Sequence, residues 1–158
     1  MDFHNVFLAF GSNLGNKKEN IEIAYQKIEK QIGEIISKSA FYITKPEDFI
    51  SNNFFVNSVC LVVTKLSLTE TFSITQKIEI EIGRAEKTIN GCFADRLIDI
   101  DLLMYDSMIV NSIDLTIPHP KFHARSFVLK PFAEIAPDVV HPILNKTISE
   151  LNNNLQSD

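Results

Sequence analysis

Apolar positions along the chain follow two periods. Val6 to Phe10 is continuously apolar and reads as a buried strand over residues 3–10, ending at Gly11-Ser12-Asn13-Leu14-Gly15-Asn16. Ile21, Ala24, Ile28 and Ile32 then recur at helical spacing, with Asn16 placed to cap the helix and Gly33 to stop it. Residues 34–44 favour β-structure, most convincingly at Ala40-Phe41-Tyr42-Ile43, and the polar stretch 45–53 reads as a loop. Residues 54–64 carry Val56, Val59, Leu61, Val62 and Val63 and read as a strand. Ser67-Leu68-Thr69-Glu70 matches a capping box, opening a helix through Ile74, Ile78 and Ile82 that stops at Gly83. Residues 84–95 have no sustained period and include Asn90-Gly91, so a long mobile loop is expected.

A strand over 97–105 follows, then a short hairpin-like pair, Ile109-Val110 and Leu115-Thr116-Ile117, broken by Pro118 and Pro120. Residues 126–135 read as a helix interrupted at Pro131. Asn145 or Thr147 caps a short last helix through Leu151, which leaves 152–158 as a frayed polar tail. Strand pairs between helices imply one α/β (α+β) sandwich domain over residues 1–158, its helices packed on a mixed or antiparallel sheet.

Composition narrows the function classes. The 158 residues are 45% hydrophobic and 22% charged, ordinary for a globular domain. A net charge of −5 sets a general nucleic-acid binder behind other readings. No apolar run approaches the ~18 residues of a membrane span, and the acidic start lacks a signal-peptide core, so a cytoplasmic protein is expected. Cys60 and Cys92 have no metal-like spacing, and two cysteines argue against a disulfide framework. Of the 15 basic side chains only Arg84, Arg96 and Arg125 are arginine. The planar fork of arginine holds phosphate or carboxylate bidentately, which a lysine cannot do.

The segment Leu97-Ile98-Asp99-Ile100-Asp101-Leu102-Leu103 carries the most chemistry. In a strand Asp99 and Asp101 share a face, with Cα atoms ~6.5 Å apart, while Ile98, Ile100 and Leu102 take the other. Two readings stand here: both acids lie in water, or they form an oxygen site for a hard cation such as Mg²⁺. Arg96 precedes this strand, Arg84 opens the loop before it, and Pro118-His119-Pro120 and Arg125 follow. Acid for metal and arginine for phosphate is the set that phosphoryl transfer needs. Surface salt bridging is the bland reading of Arg84 and Arg125. His119, held between prolines, suits a positioned donor, whereas His4, His123 and His141 read as surface or structural. Asn57 inside an apolar strand must have its amide satisfied, while Gln76 and Glu79 could form a solvated helix face.

Five motifs occur in an order that resembles the 6-hydroxymethyl-7,8-dihydropterin pyrophosphokinase family. They are Gly11-Ser12-Asn13-Leu14-Gly15, Phe54-Phe55-Val56-Asn57, Gly83-Arg84, the run Arg96-Leu97-Ile98-Asp99-Ile100-Asp101-Leu102-Leu103, and Pro118-His119 with Arg125-Ser126-Phe127. The resemblance runs from about Val6 to Pro137. It implies a ferredoxin-like sandwich, with a mainly antiparallel sheet and helices on both faces, and transfer of diphosphate from ATP to the pterin's hydroxymethyl group with release of AMP. It further implies that Asp99 and Asp101 hold two Mg²⁺ ions and that Arg84 and Arg96 act with them in catalysis. Gln76, Glu79, Leu102, Thr116, His119 and Arg125, with Arg84 and Arg96, match ATP-contacting positions. Thr44, Pro46, Phe55, Asn57 and Phe127 match the pterin pocket. The implied partners are ATP and the pterin, taken by a monomer, with neither nucleic acid nor membrane involved. Departures from the family pattern are Glu86 in place of a second arginine, Phe93 in place of tryptophan, Lys45 where proline is frequent, and a longer 84–96 loop. The competing reading is a catalytically inactive ferredoxin-like nucleotide- or pterin-binding module; a metal-dependent phosphohydrolase shares the acids but leaves the apolar pocket residues unexplained.

Overall fold

Strand β1 (His4–Ser12) lies inside the main sheet because it is apolar on both sides. Val6, Leu8 and Phe10 belong to one buried cluster and Phe7 and Ala9 to another, so the unbroken apolar run reflects cover on both faces. The computed structural model describes residues 2–45, 54–83, 88–89, 92–93 and 97–156. In chain order after β1 come α1 (Lys17–Gln31), β2 (Gly33–Lys38), β3 (Tyr42–Thr44), β4 (Phe55–Thr64), α2 (Leu68–Ile82), β5 (Thr88–Ile89), β6 (Cys92–Phe93) and β7 (Asp99–Tyr105). They are followed by β8 (Val110–Asn111), β9 (Thr116–Ile117), a 3₁₀ turn (Phe122–Ala124), α3 (Ser126–Ile135) and α4 (Ile148–Gln156).

The main sheet has the order β2-β4-β1-β7, with β3 also paired to β4, and every pairing is antiparallel. β1 and β2 are therefore parallel to each other with β4 between them, and β4 and β7 are parallel with β1 between them. These are two interleaved βαβ units, the ferredoxin-like arrangement. Both crossover helices cover one face, where Ile21, Ala24 and Ile28 of α1 and Ile78 of α2 meet Val6, Leu8, Val62 and Leu102. On the other face Val128, Leu129 and Phe132 of α3 and Ile148 and Leu151 of α4 pack on Phe7, Val59 and Leu103. A bulge in β7 opposite the Phe7/Leu8 step puts Leu103 and Met104 together on that second face.

Local signals and structure agree at the helix caps. Asn16 accepts from the Glu19 N–H at 3.2 Å, and Ser67 and Glu70 form both bonds of a capping box. Gly83 ends α2 with φ +125°, a conformation that suits glycine.

Elsewhere the structure corrects the pattern. α1 stops before Gly33 as expected, with Ile32 as its C-cap, but Gly33 itself opens β2, where a Cβ would lie 2.0 Å from the Val63 carbonyl oxygen. Residues 34–44 are β-rich as expected, but of Ala40-Phe41-Tyr42-Ile43 only Tyr42 and Ile43 are in a strand, and Ala40 and Phe41 fall between β2 and β3. The strand pairing breaks at Ser39 and Ala40, where Ser39 Oγ accepts from the Val59 N–H at 3.0 Å and donates to Ala40 O at 2.8 Å. Gly11 and Ser12 extend β1 instead of starting a loop. Within 84–95, β5 and β6 pair with each other; the rest of that stretch, with its Asn90-Gly91 and its expected mobility, lies outside the described residues.

α3 runs through Pro131 without interruption, its proline ring buried in the packed face. α4 continues to Gln156, so residues 152–156 are helical rather than frayed. Among the described residues no helix is long and apolar enough to cross a membrane.

Candidate active site

Strand register assembles the site. Tyr42 on β3 faces Asn57 on β4, Asn57 faces Gly11 on β1, and Gly11 faces Asp99 on β7. The next row on the same face is Val59, Ala9 and Asp101. Since Val59 and Ala9 belong to the α3/α4 cluster, the two aspartates and Asn57 project to that face. Asn57 and Asp99 stand two strand spacings apart, about 10 Å. The half-buried acids are thus on one side as expected, and Ile100 and Leu102 are buried on the other.

Three of the pterin-pocket candidates, Thr44, Phe55 and Asn57, come together beside this pair. Asn57 is 5% exposed, and its amide Nδ2 donates to Thr44 Oγ1 at 2.7 Å. That bond fixes which end of the amide points where: the nitrogen lies toward β3 and Oδ1 toward Gly11. Phe55, two residues away and half-buried, shares the face, and its ring lies against Gly11. Phe127 sits in the first turn of α3, half-buried against the second core cluster. The Arg125 guanidinium lies 5.7 Å from the centre of its ring.

His119 is held by its backbone and its ring together. Its N–H donates to Leu103 O at 2.9 Å, and its Nδ1 accepts from the Lys121 N–H at 3.2 Å. With Nδ1 an acceptor, the ring proton sits on Nε2. Burial, then the charges of Arg125 and Lys121, push the imidazole down to about 4. At neutral pH His119 is therefore an uncharged Nε2–H donor.

Other candidates lie apart from this cluster. Leu102 is 5% exposed within the α1/α2 core, so its side chain faces away from the acids. Glu79 is buried on α2, where its carboxylate accepts the Ile100 N–H at 2.7 Å, the amide between the two aspartates; Gln76, one turn earlier, is exposed. These two do not form a common solvated face. Thr116 is half-buried on β9 opposite Asn111. Arg84, Arg96 and Pro46 lie outside the described residues. The remaining histidines have structural partners where described: His4 Nδ1 lies 2.7 Å from Asp106, and His141 Nδ1 accepts from the Ile143 and Leu144 N–H groups.

Two parts of the site escaped sequence reasoning. Ser12 and Asn13 are fully buried, and Asn20 donates to Ser12 Oγ at 3.2 Å and Leu14 O at 2.9 Å, so this polar turn is internal framework. Glu134 on α3 accepts from the Ala40 N–H at 3.1 Å and the Tyr42 hydroxyl at 2.7 Å, tying α3 to β3. The bond to Glu134 pushes the Tyr42 phenol up to about 12. No local spacing signals a contact between residues 92 positions apart.

The model of the 7,8-dihydro-6-hydroxymethylpterin-pyrophosphokinase family matches residues 7–137. The chain belongs to this family. It is 37% identical over 138 residues to the 2-amino-4-hydroxy-6-hydroxymethyldihydropteridine pyrophosphokinase of Porphyromonas gingivalis, covering 87% of this chain and 93% of that protein. The Aquifex aeolicus enzyme of the same name is 36% identical, covering 92% of this chain and 88% of that protein. The folic acid synthesis protein FOL1 of Dictyostelium discoideum is 40% identical over 95% of this chain, yet the chain spans only 22% of that protein's length. In structure, the Plasmodium falciparum HPPK-DHPS crystallised with pteroate matches 99% of this chain and 45% of its own, with a TM-score of 0.82 at 17% identity. At that identity the likeness speaks to the ferredoxin-like fold.

Proposed function

We propose that the chain is an ATP-dependent diphosphokinase that converts 6-hydroxymethyl-7,8-dihydropterin to its diphosphate in folate biosynthesis. One observation carries the reading beyond family membership. The sheet row Tyr42, Asn57, Gly11, Asp99 puts an amide suited to a flat heterocycle's donor and acceptor edge within about 10 Å of a carboxylate pair. A pure nucleotide binder has no use for that adjacency.

Asp99 and Asp101 fit Mg²⁺. Their donors are two half-exposed carboxylates on one strand face, and Mg²⁺ takes one or two carboxylates while completing its shell with water and phosphate oxygens. Two carboxylates leave most of a cation's shell to other oxygens, which suits ions shared with substrate phosphates. When bound, Mg²⁺ supplies charge neutralisation on the triphosphate.

The chain's own residues do the positioning. Asn57, oriented by Thr44, pairs with the pterin edge, and Phe55 and Phe127 offer aromatic faces to the ring, while Pro46 joins this set only by its match to the family pattern. His119 donates from Nε2, and Arg125 with Arg84 and Arg96 supplies fixed positive charge to the phosphates; Thr116, Gln76, Glu79 and Leu102, which lie apart from the acids, are assigned to the nucleotide side by their match to the family pattern alone. The hydroxymethyl oxygen attacks the β-phosphorus in line, the bond from that phosphorus to the oxygen bridging to the α-phosphorus breaks, and the hydroxyl proton is released as AMP departs. Positioning and electrostatics account for the rate, because phosphoryl transfer needs little covalent help.

The sheet edges support a monomer. The Ile35 N–H on β2 is covered by the Glu29 carboxylate at 3.3 Å beside a bulge at Ile36, and the Ile100 N–H on β7 is covered by Glu79. The test is product analysis with ATP, the pterin and Mg²⁺. AMP with the pterin diphosphate is expected; ADP would mean single phosphoryl transfer, and ATP loss independent of the pterin would mean a hydrolase.

A further inference from the structure

We infer that Gly11 is a positioning residue for the pterin contacts, selected for the side chain it lacks. The inference rests on the pyrophosphokinase reading above. Gly11 occupies the β1 position between Asn57 on one neighbouring strand and Asp99 on the other. A Cβ built there would lie 3.2 Å from Asn57 Oδ1 and 3.6 and 3.9 Å from two atoms of the Phe55 ring. Its φ lies outside the left-handed region, so the backbone does not require glycine.

The residue's value is therefore steric, and it is directed at two side chains of the pterin pocket. Asn57 is held from one side by its 2.7 Å bond to Thr44 and rests on the other side against the bare Gly11 backbone. A methyl group at Gly11 pushes Oδ1 by a few tenths of an ångström against that bond and comes into ordinary contact with the Phe55 ring. A branched side chain would in addition reach into the space between Asn57 and Asp99, across which the acceptor hydroxyl must meet the diphosphate.

Gly33 supplies the internal contrast. There a Cβ would meet backbone, the Val63 carbonyl oxygen, at 2.0 Å, so the strand pairing itself must shift. At Gly11 the first atom met is the end of a side chain, which can move while the sheet stays intact. One glycine serves the fold and the other serves the site.

The experiment compares Gly11→Ala, Gly11→Val and Gly33→Ala in the full chain by thermal melting and by steady-state assay with the pterin and ATP varied separately. Gly11→Ala is expected to melt within a few degrees of the parent, to keep its KM for ATP and to raise KM for the pterin roughly 10-fold; Gly11→Val extends the loss of kcat/KM for the pterin to roughly 100-fold, the scale of an ångström of misplacement. Gly33→Ala is expected to melt lower with little change in pterin KM. The inference is overturned if Gly11→Ala has the parent's pterin KM, if its ATP and pterin KM values rise together, or if it melts as low as Gly33→Ala. An unaltered chain that makes no AMP would sink the functional assignment itself, whereas an active chain with indifferent Gly11 variants sinks only the role of Gly11.

Discussion

Two faces of one sheet, built from alternate residues of the same strands, have different fates. The α1/α2 face is closed: Val6, Leu8, Ile21, Ile28 and Ile78 have no exposed surface, and its polar groups pair internally, Tyr25 with Ser58 at 2.6 Å and Thr64 with Ile32 O at 2.7 Å. The α3/α4 face begins equally apolar, with Phe7, Ala9, Val59 and Leu103, and turns polar toward one end at Asn57, Asp99 and Asp101. One face holds the protein together, and the other uses the rigidity so obtained to hold polar groups that would not organise themselves. A site on strands is positioned more tightly than one on loops for this reason.

The sharpest way to break this contrast is at the acids. Asp99→Ala and Asp101→Ala are each expected to lower kcat by roughly 10³-fold, the loss seen when a transition state forfeits an electrostatic partner, with melting nearly unchanged because both side chains are half-exposed. A double variant with parental turnover in the AMP assay would remove the acids from the chemistry. On the closed face Ile28→Ala should cost about 2–5 kcal/mol in denaturant unfolding, with activity per folded molecule retained. Activity lost in step with an Asp variant would show that the two faces are not separable.

The smallest effect concerns pH. His119 is held near 4 in the fold against its ordinary 6.5, so between those values the unfolded chain binds the extra proton. Its contribution to stability is full above about 6.5, is lost as pH falls toward 4 and is flat below. His141, also pushed down by burial, acts in the same direction. Unfolding midpoints at pH 7 and pH 5 should therefore fall less in His119→Asn than in the parent; an equal fall in both would place the ring in solvent.

Much of this was legible because it is local. The caps at Asn16 and Ser67, the stop at Gly83 and the shared face of Asp99 and Asp101 depend on residues a few positions apart. Misreadings arose where a distant partner overrode the local signal. Gly11 and Ser12 read as the start of a loop until pairing with Asn57 and Val56 carries β1 through them, and Ala40-Phe41 reads as strand until the Ser39 hydroxyl and Glu134 take the backbone groups of Ala40. The break expected at Pro131 fails because α3 is packed on both sides of it.

By itself, then, the order of residues determined which side chains share a face of each element, where the helices begin, and which residue types were available for phosphate, cation and flat ring. Only the tertiary structure decided which faces meet. Thr44, Asn57, Gly11 and Asp99 come from four strands, and their alignment depends on a register in which slipping one strand by a single residue would turn its whole set to the opposite face. That register is set by the packing of two helical layers against the sheet, a sum over contacts distant in the chain that no local pattern encodes.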